Sequence, residues 1–169
     1  THVLGSAFAI LPDKEQGWQD LMRLAQNQDR YVRSGATQAL GSAFALLPYK
    51  ERGWQDLMRL AQNQDSSVRR GATHVLGSAF AILPDKEQGW RDLMHLARDR
   101  DRDVRAYAYH SLGRVSIYRA LESNKKEIIK SELEAAVEFF ERASQEQSYF
   151  NPASFCGPFY RSYLALTFQ

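Results

Sequence analysis

The chain has one cysteine, Cys156, among its 169 residues. An internal disulfide is therefore impossible, a cysteine zinc cluster is excluded, and the composition leans towards a reducing compartment, with a cytoplasmic location as the expectation. It has no apolar run of about 18 residues, so no membrane-spanning helix is expected. It has no strong excess of one charge: 22 basic against 20 acidic residues leave a net +2, which does not by itself point to nucleic acid or anionic lipid. Glycine-rich phosphate loops, a Gly-x-Ser-x-Gly nucleophile elbow and other local catalytic signatures are absent, and no cofactor is called for. The opening residues, Thr1-His2-Val3-Leu4-Gly5, carry neither the basic segment nor the cleavage pattern of a signal peptide. With 44% apolar and 25% charged residues, the composition is that of a folded chain rather than a disordered one.

What the sequence does have is a repeat. Thr1-His2-Val3-Leu4-Gly5-Ser6-Ala7-Phe8 recurs at Thr73 to Phe80, and Thr37-Gln38-Ala39-Leu40-Gly41-Ser42-Ala43-Phe44 lies midway. Blocks 1–36, 37–72 and 73–108 are identical in 22 of 36 columns, too many for chance. A fourth copy begins at Tyr109-His110-Ser111-Leu112-Gly113 and then dissolves.

Each copy holds two helical patterns. From Ser66 to Leu83, Val68, Ala72, Val75, Leu76, Ala79, Phe80 and Leu83 step by three and four, an amphipathic stripe. Asp65 is placed to cap it, as are Asp29 and Asp101 in the other copies, and Pro84 ends it. From Lys86 to Arg98, Trp90, Leu93, Met94 and Ala97 repeat the spacing. Asp85 with Gln88, like Asp13 with Gln16, forms a capping box, whereas Tyr49 and Arg52 in the middle copy predict a weaker start. No alternating strand pattern is present. The expected fold is all-α.

A helix pair of this size does not bury its stripe alone, so successive pairs are expected to stack on a shared core. Trp18, Trp54 and Trp90, with Phe8, Phe44 and Phe80, fall at equivalent core positions. Gly35, Gly41, Gly71 and Gly77 sit inside first helices at about 1 kcal/mol each relative to alanine, which predicts close approach of neighbouring helices or a ligand-facing groove.

Asp29-x-x-Val32-Arg33-x-x-Ala36, Asp65-x-x-Val68-Arg69-x-x-Ala72 and Asp101-x-x-Val104-Arg105-x-x-Ala108 are followed by Leu40-Gly41, Leu76-Gly77 and Leu112-Gly113. These residues resemble the HEAT-like repeats of the phycobilisome-lyase type, over roughly residues 1–114. The unit here is longer, mostly through its Phe-Ala-x-Leu-Pro stretch. The resemblance implies a right-handed α-solenoid whose Val-Arg helices form the concave wall, and a protein-binding scaffold rather than a lyase. Independently of the family, an aspartate four residues before an arginine predicts an Asp/Arg ladder at the junctions, with Arg33, Arg69 and Arg105 structural rather than ligand-binding. Exposed pairs of that kind contribute only about 0–1 kcal/mol each.

Divergence between the copies singles out a surface. The columns Arg30/Ser66/Arg102, Tyr31/Ser67/Asp103, Ser34/Arg70/Ala106, Gly35/Gly71/Tyr107 and His2/Gln38/His74/His110 change most, while stripes, Trp, Pro and the Asp/Val/Arg set stay fixed. Positions 67, 70, 74 and 78 run along one strip opposite the apolar stripe. The candidate partner-binding groove is therefore Tyr31, Ser34, Gln38, Ser67, Arg70, His74, Asp103, Tyr107, His110 and Arg114; drift on a solvated face is the competing explanation.

Other chemistry has little support. His74 and His110 lie one repeat apart, and packed helices sit about 8–10 Å apart, too far for easy chelation of one ion, so no metal site is expected. Neither belongs to a His-Glu pair like those of the HEAT-repeat di-iron hydroxylases. Cys156, between Phe155 and Gly157, reads as a buried inert thiol. Arg70, Arg102 and Arg114 lend some positive character, but Asp99, Asp101 and Asp103 offset it, and the footprint is thinner than duplex binding needs.

Beyond residue 114 the period is lost, and residues 115–169 hold half of the aromatics. From Lys125 to Glu146, Ile129, Leu133, Ala136, Val137, Phe140 and Ala143 predict a long amphipathic helix. Asn151-Pro152 signals another start, and Gly157-Pro158 is expected to kink that helix or delay it to Pro158. This segment is expected to be a helical cap, with an aromatic docking site for a peptide or subunit as the alternative. At the other end, Thr1 aligns with Thr37 and Thr73 but lacks the Asp-x-x-Val-Arg half of its helix. The expectation is a fragment of a longer array whose open end invites end-to-end self-association.

The functional expectation is thus a non-enzymatic repeat scaffold that binds a protein or peptide along its concave face. An accessory or regulatory repeat domain of a larger enzyme is second, and a nucleic-acid-binding module third.

Overall fold

Asp13, Asp29, Asp65 and Asp101 each cap the helix start that the sequence assigns to them. The computed structural model describes residues 8–146 and 152–168, and among these the regular structure is helical, with no strand. The helices are α1 (Lys14–Leu24), α2 (Arg30–Phe44), α3 (Lys50–Leu60), α4 (Ser66–Ala79) with a 3-10 turn (Phe80–Ile82), α5 (Lys86–Leu96), α6 (Arg102–Glu122), α7 (Lys126–Glu146) and α8 (Ala153–Thr167). Asp13 accepts from the Gln16 N–H at 2.9 Å, Asp29 from Tyr31 and Val32 at 2.7 and 3.2 Å, Asp65 from Ser67 at 2.8 Å and Asp101 from Asp103 at 2.9 Å. Tyr49 supplies no side-chain cap to α3, as the sequence predicts.

The carbonyls at the ends of the first helices are satisfied by a lysine on the following helix. Lys50 Nζ donates to the carbonyls of Phe44, Ala45 and Leu47 at 3.0, 2.8 and 2.5 Å. Lys86 does the same to Ala81 and Leu83 at 2.7 and 2.6 Å. A charged donor thereby serves orphan acceptors that Pro48 and Pro84, following them, cannot. Burial among these groups pushes the Lys50 ammonium below its ordinary pKa.

The chain divides into two compact units, Thr1–Lys86 and Glu87–Gln169. In the first, α1 packs on α2, α3 on α4, and α2 on α4. Phe8, Phe44, Phe80, Trp18 and Trp54 are buried in it with Leu40, Leu57 and Leu76, so the aromatic series is core there. Asp56, only 3% exposed, accepts from Trp18 Nε1 at 2.9 Å and pairs with Arg59, joining α1 to α3 across one repeat. A Cβ on Gly71 would come within 2.9 Å of Thr37 Cγ2, which is the close approach expected. At Gly35 and Gly41 an added Cβ meets nothing within 4 Å among the described residues.

The second unit holds α6 against α7 and α7 against α8. Ala120 stands where the repeats have Pro48 and Pro84, so nothing stops α6, and it runs on to Glu122. The expected domain boundary at 114/115 lies inside this helix. The predicted α7 stripe buries Leu133, Ala136, Phe140 and Ala143. Phe140 stacks on Tyr160 at 6.0 Å and fills the space left by Gly113, whose Cβ would sit 2.5–2.8 Å from its ring. Trp90 departs from the series: it is half-buried, its edge region on Phe139 at 5.7 Å and its face under Arg119 at 4.2 Å. The expectation that Gly157-Pro158 delays the last helix is corrected. α8 begins at Ala153 and continues through Pro158, because Ala153, Cys156, Gly157 and Tyr160, on both sides of the proline, lie against Phe140 and its neighbours. Asn151 and the incomplete first repeat at residues 1–7 lie outside the described residues.

Candidate functional site

The repeated arginines are structural, and their geometry orients everything on the same helices. Arg33 Nη1 donates to the Asn27 and Gln28 carbonyls at 2.8 and 2.7 Å, Arg69 to those of Asn63 and Gln64 at 2.9 Å each, and Arg105 to those of Asp99 and Arg100 at 2.9 and 3.1 Å. Each guanidinium thus closes the turn between the second helix of one copy and the first helix of the next. The ladder expected from the motif is present at one rung of the first unit, where Arg33 Nη2 lies 4.0 Å from the Asp65 carboxylate of the next copy.

With the arginines pinned inward, Tyr31, Ser34 and Gln38 form an exposed strip along α2. Ser67 and Arg70, half-buried, and His74, exposed, form the equivalent strip along α4. The Thr37–Gly71 approach and the Arg33–Asp65 rung bring these two helices side by side with their N-terminal ends together. The structure therefore joins six of the ten candidate residues on one face of the first unit. Arg30, outside the candidate set, belongs to the same face: its guanidinium lies 5.2 Å from the Tyr31 ring centroid.

Asp103, Tyr107, His110 and Arg114 lie on α6 in the second unit, where Asp103, Tyr107 and His110 are half-buried. The His110 ring is 5.8 Å from Phe140 of α7, and Arg114 is close enough to Cys156 of α8 to stabilise its thiolate electrostatically. Burial outweighs that effect and pushes the Cys156 thiol above its ordinary value, which suits an unreactive thiol. The C-terminal helices thus occupy the surroundings of this part of the strip.

Glu146 is the residue that sequence reasoning missed here. It takes Arg105 Nε and Nη2 at 2.8 and 2.6 Å, a two-pronged contact that supplies a carboxylate where no fourth capping aspartate exists. The Arg105 guanidinium holds the Glu146 carboxyl below the ordinary carboxylate range. A lowered folded-state pKa contributes stability that is complete above the unfolded value, about 4.3, and is lost as pH falls through the folded value. Glu146→Gln is therefore expected to cost about 1 kcal/mol at pH 7 and progressively less below pH 4.3, in urea unfolding followed by circular dichroism. An equal cost at pH 7 and pH 3 would contradict the pairing.

Among the described residues, no three His, Cys, Asp or Glu side chains are grouped to hold a metal ion, and no helix is long and apolar enough to cross a membrane. No family model, no curated protein and no solved structure matches the chain.

Proposed function

We propose that the chain is a HEAT-like α-solenoid scaffold, without catalytic activity of its own, that binds a protein or peptide across the Val-Arg helices. The observation that carries this reading is the contrast within the first unit. Fixed columns supply the buried Trp, Phe and Leu positions and the arginine-closed turns, while the columns that diverge most between copies lie on the adjoining α2 and α4 strips. A packing unit must keep its core shape, whereas a surface that contacts something else is free to specialise. The 36-residue period and the recurrence of the same caps and turn contacts support the repeat-stack part of the proposal.

Site-specific photo-crosslinking tests it. A crosslinking residue at Gln38 or His74 is expected to give discrete adducts in cells, whereas the same residue at Gln55, exposed on α3, gives none. Identical adducts at all three positions, or none at any, would remove the assignment of this face.

A further inference from the structure

We propose that the chain forms a two-fold dimer through α8, whose strip of Phe155, Phe159, Tyr163 and Leu166 packs antiparallel against the same strip of a second copy. This goes beyond the scaffold reading and does not rest on it. α8 lies against α7 along Ala153, Cys156, Gly157 and Tyr160. Phe155, Phe159, Tyr163 and Leu166 follow one another at intervals of four, four and three, so they share another face of the helix. That face is uncovered: the four residues are 74%, 53%, 46% and 78% exposed.

The strip continues the core outwards. Phe155 stacks on Phe159 at 6.2 Å, Phe159 packs edge-to-face with Tyr160 at 5.1 Å, and Tyr160 stacks on the buried Phe140 at 6.0 Å. Rings braced in this way lose little freedom when a partner covers them. α8 has one charged residue, Arg161, which sits about 200° around the helix from Phe159 and pairs with Glu141 of α7. Ser162, beside Tyr163, turns its hydroxyl back onto the Pro158 carbonyl at 3.0 Å. The strip therefore offers a partner aromatic and aliphatic surface without charge.

Area, charge and symmetry together select a second copy. Aromatic side chains carry about 150–250 Å² each, so these exposed fractions leave roughly 450–500 Å² of apolar surface on one copy. A standard interface takes about 800 Å² from each partner, and about 60% of it is apolar, so the strip supplies the apolar portion of a stable dimer. In an isologous antiparallel pair, residues that face one another share a midpoint at the two-fold axis. Phe155 set against Leu166, and Phe159 against Tyr163, have nearly the same midpoint, next to residue 161, so one axis seats all four. Arg161, at that level, lies on the far side of the helix with its charge met by Glu141. A membrane surface calls for lysines and arginines flanking the apolar face of a helix, and nucleic acid for a basic footprint; α8 supplies neither.

Sedimentation velocity of the full chain from about 1 to about 200 µM tests the assignment. The native protein is expected to pass from monomer to dimer over that range. Phe155→Glu and Leu166→Lys, each at an exposed side chain, are expected to weaken association at least about tenfold, with circular dichroism confirming an unchanged helical fold. Mixing the two variants is expected to restore the dimer, because antiparallel pairing sets the introduced carboxylate of one copy against the introduced ammonium of the other. A strict monomer at the highest concentration, association insensitive to both variants, or weakened variants that do not recover on mixing would each overturn the proposal. Adducts at Gln38 and His74 are expected unchanged in both variants, which keeps this outcome separate from that of the α2–α4 face.

Discussion

Phe140→Ala is expected to destabilise the second unit by about 3–5 kcal/mol, measured by chemical denaturation. Phe140 is 1% exposed, lies in the cluster of Ala136, Ala143 and Ala153, and is flanked by His110 and Tyr160. Truncation opens a cavity whose walls belong to three helices, which do not collapse as one. Gly113→Ala probes the same contact from the other side. The added methyl would lie 2.5–2.8 Å from the ring, and the stacked Tyr160 limits how far the ring can retreat, so a cost of about 1–3 kcal/mol is expected despite the higher helix propensity of alanine. In the Phe140→Ala background that cost should vanish, because the ring is gone. A double-mutant cycle is expected to show coupling above about 1 kcal/mol; simple additivity would mean that α6 and α7 do not approach at Gly113.

What was legible in the sequence was mainly local. The aspartate caps, the uncapped start at Tyr49 and the buried stripe of α7 depend on residues within a few positions of one another, and spacing reports them directly. The role of Lys50 was not legible, because a lysine before a glutamate looks like a solvated first turn until the preceding helix end is known to lie beneath it. Glu146 pairs with Arg105 across 41 positions, outside any period. The start of α8 at Ala153 rather than at Pro158 was not legible, because a proline rule acts on an isolated helix, whereas packing on Phe140 holds both sides of this one.

The candidate face divides by the same reasoning. Comparison of the internal copies singled out Tyr31, Ser34, Gln38, Ser67, Arg70 and His74, which lie on the adjoining helices α2 and α4. Asp103, Tyr107, His110 and Arg114 lie on α6, whose neighbour in the second unit is α7. Arg30 was passed over although its column varies, since a charged residue in a first helical turn reads as solvated until its ring contact is seen.

Asp56→Ala carries the second large effect expected, about 1–3 kcal/mol, and it bears on how neighbouring copies are registered. Removing the carboxylate orphans the Trp18 indole N–H, which belongs to a residue 1% exposed and has no solvent to turn to. Asp56→Asn keeps a side-chain acceptor and should cost less, because the indole needs an oxygen rather than a charge. Trp18→Phe removes the donor and leaves the Asp56 carboxylate to Arg59 alone. In the Trp18→Phe background, Asp56→Ala should therefore cost measurably less than in the native chain, by at least about 0.5 kcal/mol in urea unfolding. Such coupling would identify the Trp–Asp bond as a fastener between the second helices of consecutive copies, at a column where all three repeats carry aspartate. Full additivity would mean that the buried Asp56 carboxylate gains nothing from the Trp18 indole, and the register of α1 against α3 would then rest on apolar packing alone.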